Sequence, residues 1–309
     1  MKPTLAKPAA FLTGILIVFF SLAGQHNVSL AQSVKGPGSG RRSVTLNVIV
    51  HAKAGRVVTR DDFDLYDNGV PQEVESFARI DAGSRIVLMV DSSSNLKAEP
   101  AALQNAVLAI INELYEDDQM MVVGYNEEPV IIEDMTPELA KLKASPAKLA
   151  RTGIPNLFDA LVAVSDALAN QAKTGVEKRA IVLISDGYDS ESKTKFAEAL
   201  LALQDENVVL YAIQVADRTR GALLRDKPKP PAVLEQLTVG TGGAIYRFDT
   251  VAEAAKAMAD DLRKNWYRLT YSPSGVNSLN KRGLLLMPHD ASIVLRTKGS
   301  HPSRYRPAT

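Results

Sequence analysis

Ile86-Val87-Leu88-Met89-Val90 is an unbroken apolar run that ends on a carboxylate, Asp91, followed by the polar series Ser92-Ser93-Ser94-Asn95. A short apolar run bounded by turn-forming residues reads as a strand buried on both faces, with Asp91 at its carboxyl end. Leu103, Val107, Ile110, Ile111 and Leu114 then recur at helical spacing, so an amphipathic helix follows the strand. The same grammar continues downstream. Residues 120–125 and 130–132 read as strands separated by Asn126-Glu127-Glu128-Pro129, close enough for a hairpin and therefore for one antiparallel strand. Leu157, Leu161, Val164 and Leu168 make the next helical stripe, before a strand at 180–185 and a helix around Phe196, Leu200 and Leu203. A strand at 208–214, a helix at 232–237, a strand at 244–248 and a helix at 251–262 complete six strands. Strands alternating with helices in this way predict an α/β fold, a doubly wound and mostly parallel six-stranded sheet covered on both faces.

The flanks read differently. Val44, Leu46, Val48 and Val50 alternate with Thr45, Asn47, Ile49 and His51, a period-two pattern with one apolar face. Residues 63–66 and 74–77 flank Asp67-Asn68-Gly69, whose residues tolerate positive φ and favour a hairpin turn. Those few strands cannot bury an apolar face alone. Strand-like alternation returns at 267–271 and 292–296, so both chain ends are expected to build one small β-sandwich-like module, with the α/β domain inserted in it. The expected layout is a β segment at 43–82, the α/β domain at 83–265, completing strands at 266–298 and a basic tail at 299–309.

Export is read from residues 1–31. Lys2 and Lys7 precede an apolar stretch that includes Phe11, Leu12, Ile15, Leu16, Ile17, Val18, Phe19 and Phe20, and Ser29 with Ala31 offers a cleavage site before Gln32. The alternative is an uncleaved membrane anchor, but the run is shorter than the roughly 20 residues a spanning helix needs. Gly36-Pro37-Gly38-Ser39-Gly40 marks residues 32–42 as a flexible linker. A secreted or periplasmic protein is expected, touching membrane only through such an anchor.

Composition narrows the chemistry. The 309 residues hold no cysteine, which excludes disulfides, thiolate nucleophiles and Cys-ligated metals, and only four scattered histidines. Formal net charge is +1, becoming −1 once Lys2 and Lys7 are removed, so nucleic acid is not an expected partner. The charge is uneven. Residues 263–309 carry nine basic side chains against Asp290 alone. This asymmetry fits either anionic lipid or glycan, or self-neutralisation against the acidic remainder, and the second reading is preferred because much of the segment should be folded strand.

In a doubly wound sheet, ligands bind beyond the carboxyl ends of strands where strand order reverses. Asp91 and Asp186, the latter in Ile184-Ser185-Asp186-Gly187-Tyr188-Asp189, sit at two such ends. With neighbouring hydroxyls they form a hard-oxygen set suited to Mg²⁺ or Mn²⁺. A simpler role for each is capping the following helix. Asp189 reads as a turn residue, and Thr241-Gly242-Gly243 as a turn rather than a phosphate loop, because no Gly-x-Gly-x-x-Gly or following lysine is present. Met120, Met121 and Met258 read as core, and Trp266 as packing between domains.

At these residues the sequence resembles the von Willebrand factor type A domain family, which implies a Rossmann-like domain over residues 83–265. The family's metal-ion-dependent adhesion site uses Asp-x-Ser-x-Ser, a threonine and a later Asp. The resemblance therefore implies a Mg²⁺ (or Mn²⁺) site at Asp91, Ser93, Asn95 and Asp186, which would also bind the partner. Asn95 replaces the usual serine, and Pro155 stands where the threonine belongs, with Thr152 three residues earlier. The site is thus expected to be degenerate and weak. Gly55 to Phe77 and Tyr267-Arg268-Leu269-Thr270-Tyr271-Ser272-Pro273 resemble the flanks of secreted bacterial members first grouped in Acidobacteria. A non-catalytic adhesion protein is implied, its protein partner offering an acidic side chain to the metal. The alternatives are a structural envelope component and an Asp-nucleophile hydrolase. For the hydrolase, Ser93 stands where a second acid is needed, and no Gly-x-Ser-x-Gly or His-Glu-x-x-His occurs.

Overall fold

The computed structural model describes residues 43–171, 178–222, 228–277 and 280–301. The expected signal peptide, the linker and most of the basic tail lie outside the described residues. Among the described residues no helix is long and apolar enough to cross a membrane.

The chain enters through β1 (Val44–His51), β2 (Phe63–Asp67), β3 (Val70–Gln72) and β4 (Val74–Arg79). The α/β region follows as β5 (Ser84–Asp91), α1 (Pro100–Ile111), β6 (Gln119–Tyr125), β7 (Pro129–Thr136), α2 (Leu139–Ala144), α3 (Leu157–Gln171), β8 (Lys178–Ser185), α4 (Phe196–Asp205), β9 (Val209–Gln214), α5 (Pro230–Thr241), β10 (Ile245–Arg247) and α6 (Val251–Asp260). A π-helical turn, Asp261–Asn265, leads to β11 (Trp266–Tyr271), β12 (Arg282–Pro288), β13 (Val294–Thr297) and β14 (Ser300–His301).

The six-stranded sheet has the order β10-β9-β8-β5-β6-β7, parallel except for β7, which runs antiparallel to β6. The fold class is therefore the one expected. Each central strand is apolar on both sides because each face is covered. Ile86, Leu88 and Val90 pack with α1 and α6 residues such as Leu103, Val107 and Met258. Val87 and Met89 pack with α3 and α5 residues such as Leu161, Val164 and Leu237. The three methionines read as core are buried.

Strands from both chain ends form two further four-stranded sheets, β13-β1-β11-β4 and β14-β12-β2-β3. Val44, Leu46, Val48 and Val50 meet Phe63, Leu65, Leu284 and Leu286 between them. Asp67 is fully buried there, accepting from Arg282 at 2.6 Å and from the Tyr271 hydroxyl at 2.8 Å. Burial and the neighbouring Asp67 push the Tyr271 phenol above its ordinary range.

Two local expectations need correction. The Asn68-Gly69 turn, with φ +51° and +79°, joins β2 to β3 rather than to residues 74–77. That segment, β4, crosses to the other sheet and pairs with β11, because Val70–Gln72 already satisfies the edge of β2. The Ile49 face of β1 is not simply the polar one either. Ile49 and Trp266, paired across β1 and β11, are buried in the α/β core beside Met258 and Leu262.

Basic side chains of the last segment turn inward. Arg296 pairs with the buried Asp261, which also meets His51 at 2.9 Å. Lys298 donates to the Gln204 carbonyl at 2.8 Å, and Arg263 lies 4.9 Å from the Tyr115 ring centroid.

Candidate functional site

β5 and β8 are adjacent and parallel, so the acids at their carboxyl ends emerge side by side. β6 lies on the far side of β5, which makes this the place where strand order reverses. Asp91 and Asp186 are both fully buried. Two bare carboxylates in such a position would repel strongly, so a positive charge must be supplied.

Arg218 supplies it. This residue lies four positions past β9, the strand on the other side of β8. Its Nε donates to Asp186 Oδ2 at 2.7 Å and its Nη2 to Asp186 Oδ1 at 2.9 Å, a bidentate grip. Nη2 also donates to Asp91 Oδ2, and Nη1 donates to the Ser93 hydroxyl at 2.8 Å. Ser93 in turn gives its backbone N–H to Asp91 Oδ1 at 2.9 Å and its hydroxyl proton to the same oxygen. The backbone N–H groups of Tyr188 and Arg218 complete the shell of Asp186 at 3.1 and 2.9 Å. Only 8% of the Arg218 side chain is exposed.

Electrostatics follow the packing. Burial opposes the Arg218 charge, but the Asp186 hydrogen bonds and the Asp91 charge outweigh it and hold the guanidinium well above its ordinary value. Burial pushes the Asp91 carboxyl up, countered by Arg218 and by the Ser93 hydrogen bonds. Burial and the charge on Asp91 also raise the Tyr125 phenol, whose hydroxyl donates to Ser185 Oγ at 2.9 Å.

The loop carrying Arg218 is itself pinned. Lys97 and Ala216 form an antiparallel bridge, and the Lys97 ammonium donates to the Asp217 carbonyl at 3.2 Å. The Asp217 carboxylate accepts from Thr219 N, Thr219 Oγ1 and Gly221 N at 2.7, 2.8 and 3.0 Å. Arg151 braces the opposite loop by donating to the carbonyls of Ser93, Ser94, Leu96 and Ala98.

Of the four residues marked in the sequence, Asp91, Ser93 and Asp186 converge and Asn95 does not. Asn95 is exposed, and among the described residues no hydrogen bond joins it to the carboxylate pair. Pro155 offers its carbonyl to Ser190 N at 2.7 Å, and the Thr152 hydroxyl accepts from Asn126 at 2.9 Å. Asp189 accepts from Phe158 N at 3.2 Å, capping the start of α3, as well as from Ser192. Thr241-Gly242-Gly243 is a turn, Gly242 ending α5 at φ +83°.

These residues do not fit a resident divalent ion. All four carboxylate oxygens already accept hydrogen bonds, and the guanidinium stands between them. Among the described residues no group of three or more His, Asp or Glu is arranged to hold a metal. Sequence reading missed Arg218 because Ala216-Asp217-Arg218-Thr219-Arg220-Gly221 looks like any polar turn. The usable signal was its position, since the loop after the strand adjoining that of Asp186 opens beside the acid pair.

Next to the cluster the loop face is concave. A cleft of about 480 Å³ is lined by Phe158, Tyr188, Phe196, Pro228, Pro230 and Val233, among others. Arg218 lies 5.3 Å from the Tyr188 ring centroid, joining cleft and cluster.

A doubly wound α/β domain with an Asp-x-Ser loop and a Ser-Asp-Gly loop side by side at the switch point belongs to the type A class of interaction domains. The family model for the von Willebrand factor type A domain matches residues 86–261, and the chain belongs to that family. Among solved structures, it is similar to a von Willebrand factor type A protein from Catenulispora acidiphila, with 14% identity over 82% of this chain and 74% of the other and a TM-score of 0.50. It is also similar to an aerotolerance-related membrane protein from Bacteroides fragilis, with 15% identity over 59% of this chain and 100% of that one and a TM-score of 0.46. BatB from Bacteroides thetaiotaomicron has 15% identity, 59% and 98% coverage, and a TM-score of 0.44. No curated protein matches the chain.

Proposed function

We propose that this chain is an exported, non-catalytic protein-binding protein of the secreted bacterial branch of the family first grouped in Acidobacteria, and that its loop face engages a protein partner. The observation that carries the reading is the combination at the carboxyl ends of β5, β8 and β9. A fully hydrogen-bonded ionic cluster adjoins a mainly apolar cleft rimmed by Lys195 and Asp189. Asp91 and Asp186 are committed to Arg218, which leaves neither poised as nucleophile or base and favours recognition over hydrolysis. Apolar and aromatic lining with a few charged groups at the edge is the usual composition of a docking cleft. The export half of the proposal rests on the order of charge, apolar run and small residues in the first 31 residues. A partner's acid completing a metal at Asp91 and Asp186 is not part of this reading, because the Arg218 guanidinium already stands between those two carboxylates.

The test is affinity capture from an envelope extract, using the chain without residues 1–31 as bait, with and without Mg²⁺. A partner lost on Ala197→Glu, which places a charge on the exposed lining of the cleft, but retained on Val57→Glu in the β module supports the reading. If every captured protein is retained by both variants, the loop face is not the docking surface. A structural envelope role then takes its place.

A further inference from the structure

The type A resemblance calls for a divalent cation between Asp91 and Asp186, and the structure places a side chain of the same molecule there. We propose that Arg218 is a built-in substitute for that ion, a tethered cation that makes the loop face independent of metal.

Three features carry this beyond an incidental salt bridge. The guanidinium contacts what a metal would contact: both carboxylates and the Ser93 hydroxyl. A planar fork of five donors can span two carboxylates and a hydroxyl together, which a lysine ammonium cannot match in geometry. The loop behind it is also fixed. Asp217 closes a turn at Thr219 and Gly221, Arg220 takes φ +54°, and the Lys97–Ala216 bridge ties that turn to the loop after β5. Finally, the positions that depart from the family pattern are those a metal would need and an arginine does not. Pro155 brings no hydroxyl, and Asn95 turns to solvent.

The charge balance follows directly. A divalent ion between two carboxylates gives a neutral cluster with open coordination positions for a partner's acid. Arginine gives a cluster of net charge −1 in which four of its five donors are already used, so the cluster has no open coordination position to offer. The substitution therefore exchanges a chemical bridge for rigidity: Arg218 holds the loops after β5, β8 and β9 in one arrangement whether or not metal is present.

The proposal rests on the cluster alone and stands or falls separately from the partner reading. It is tested by titrating Mn²⁺ into the wild-type chain lacking residues 1–31, with calorimetry and the electron paramagnetic resonance of bound Mn²⁺ as readouts. Thermal melts in Mg²⁺ and in a chelator run in parallel. The wild type is expected to show no saturable Mn²⁺ binding and the same melting temperature in both buffers. Arg218→Ala should acquire one Mn²⁺ site, seen as a new resonance and as a melting temperature raised by Mg²⁺. Asp91→Ala added to Arg218→Ala should remove that site. One wild-type Mn²⁺ site abolished by Asp91→Ala would overturn the proposal, and so would a folded Arg218→Ala that binds none. If Arg218→Ala does not fold, the wild-type titration decides alone.

Discussion

Removing the Arg218 guanidinium while keeping its bulk, as in Arg218→Met, leaves Asp91 and Asp186 facing each other at zero exposure. Breaking a buried ion pair by deleting one partner costs about 3–5 kcal/mol, because the surviving charge stays desolvated. Here two carboxylates survive. One of them, Asp186, loses two of its four donors and keeps the two backbone ones. The upper part of that range is expected, equivalent to a fall in melting temperature of roughly 10 °C for a chain of this size. The control is a variant with no charge left to bury, Asp91→Asn, Asp186→Asn and Arg218→Met together. It should recover most of the loss, since replacing a whole buried ionic cluster is often close to neutral. Urea denaturation followed by circular dichroism in metal-free buffer reads both variants against wild type. If the single variant unfolds at the wild-type urea concentration, or the triple variant is no more stable than the single one, the cluster does not hold the loops as described.

Further outcomes follow from other buried groups. Burial lowers the Lys298 pKa from 10.5 to about 8. Between those values the unfolded chain binds more protons than the folded one, so unfolding free energy should rise with pH there, by roughly 3 kcal/mol from this group, and Lys298→Met should flatten the rise. An unchanged slope in Lys298→Met would remove Lys298 as its source. Asp67→Ala leaves the fully buried Arg282 charge and the Tyr271 hydroxyl without their acceptor, and a loss of about 3–5 kcal/mol in urea denaturation is expected. Gly187→Ala puts a Cβ 2.2 Å from the Pro230 carbonyl oxygen at φ +83°. It should destabilise by more than the roughly 1–2 kcal/mol of a left-handed alanine alone, and a loss below that value would show that α5 yields.

The α/β half of the molecule was legible because its strands are covered on both faces and so read as continuous apolar runs, ending at acids that mark the loop face. Asp91 and Asp186 were visible for that reason, and Ser93 through the resemblance to the family's Asp-x-Ser-x-Ser motif. β12 was harder: Leu284-Leu285-Leu286-Met287 shows no alternation, although Leu284 and Leu286 are buried and Leu285 and Met287 exposed. The three-residue β3 was hidden by Pro71 and by the stronger apolar signal of Val74 and Phe77. Arg218 lay beyond local reading altogether. Its partners are 32 and 127 positions away in sequence, and only the order of strands in the finished sheet brings them together.

Ile49 and Trp266 belong by sequence to the β strands at the two chain ends, yet both are counted among the side chains of the α/β core. The boundary drawn along the chain is thus not a boundary in the packing. A fragment trimmed to residues 86–261 would keep every residue of the ionic cluster but expose a wound of apolar surface where an indole and a branched side chain had been. Anyone wishing to transplant this domain into another protein would have to carry along the first and the eleventh strand, or repaint the underside of α6 with polar groups.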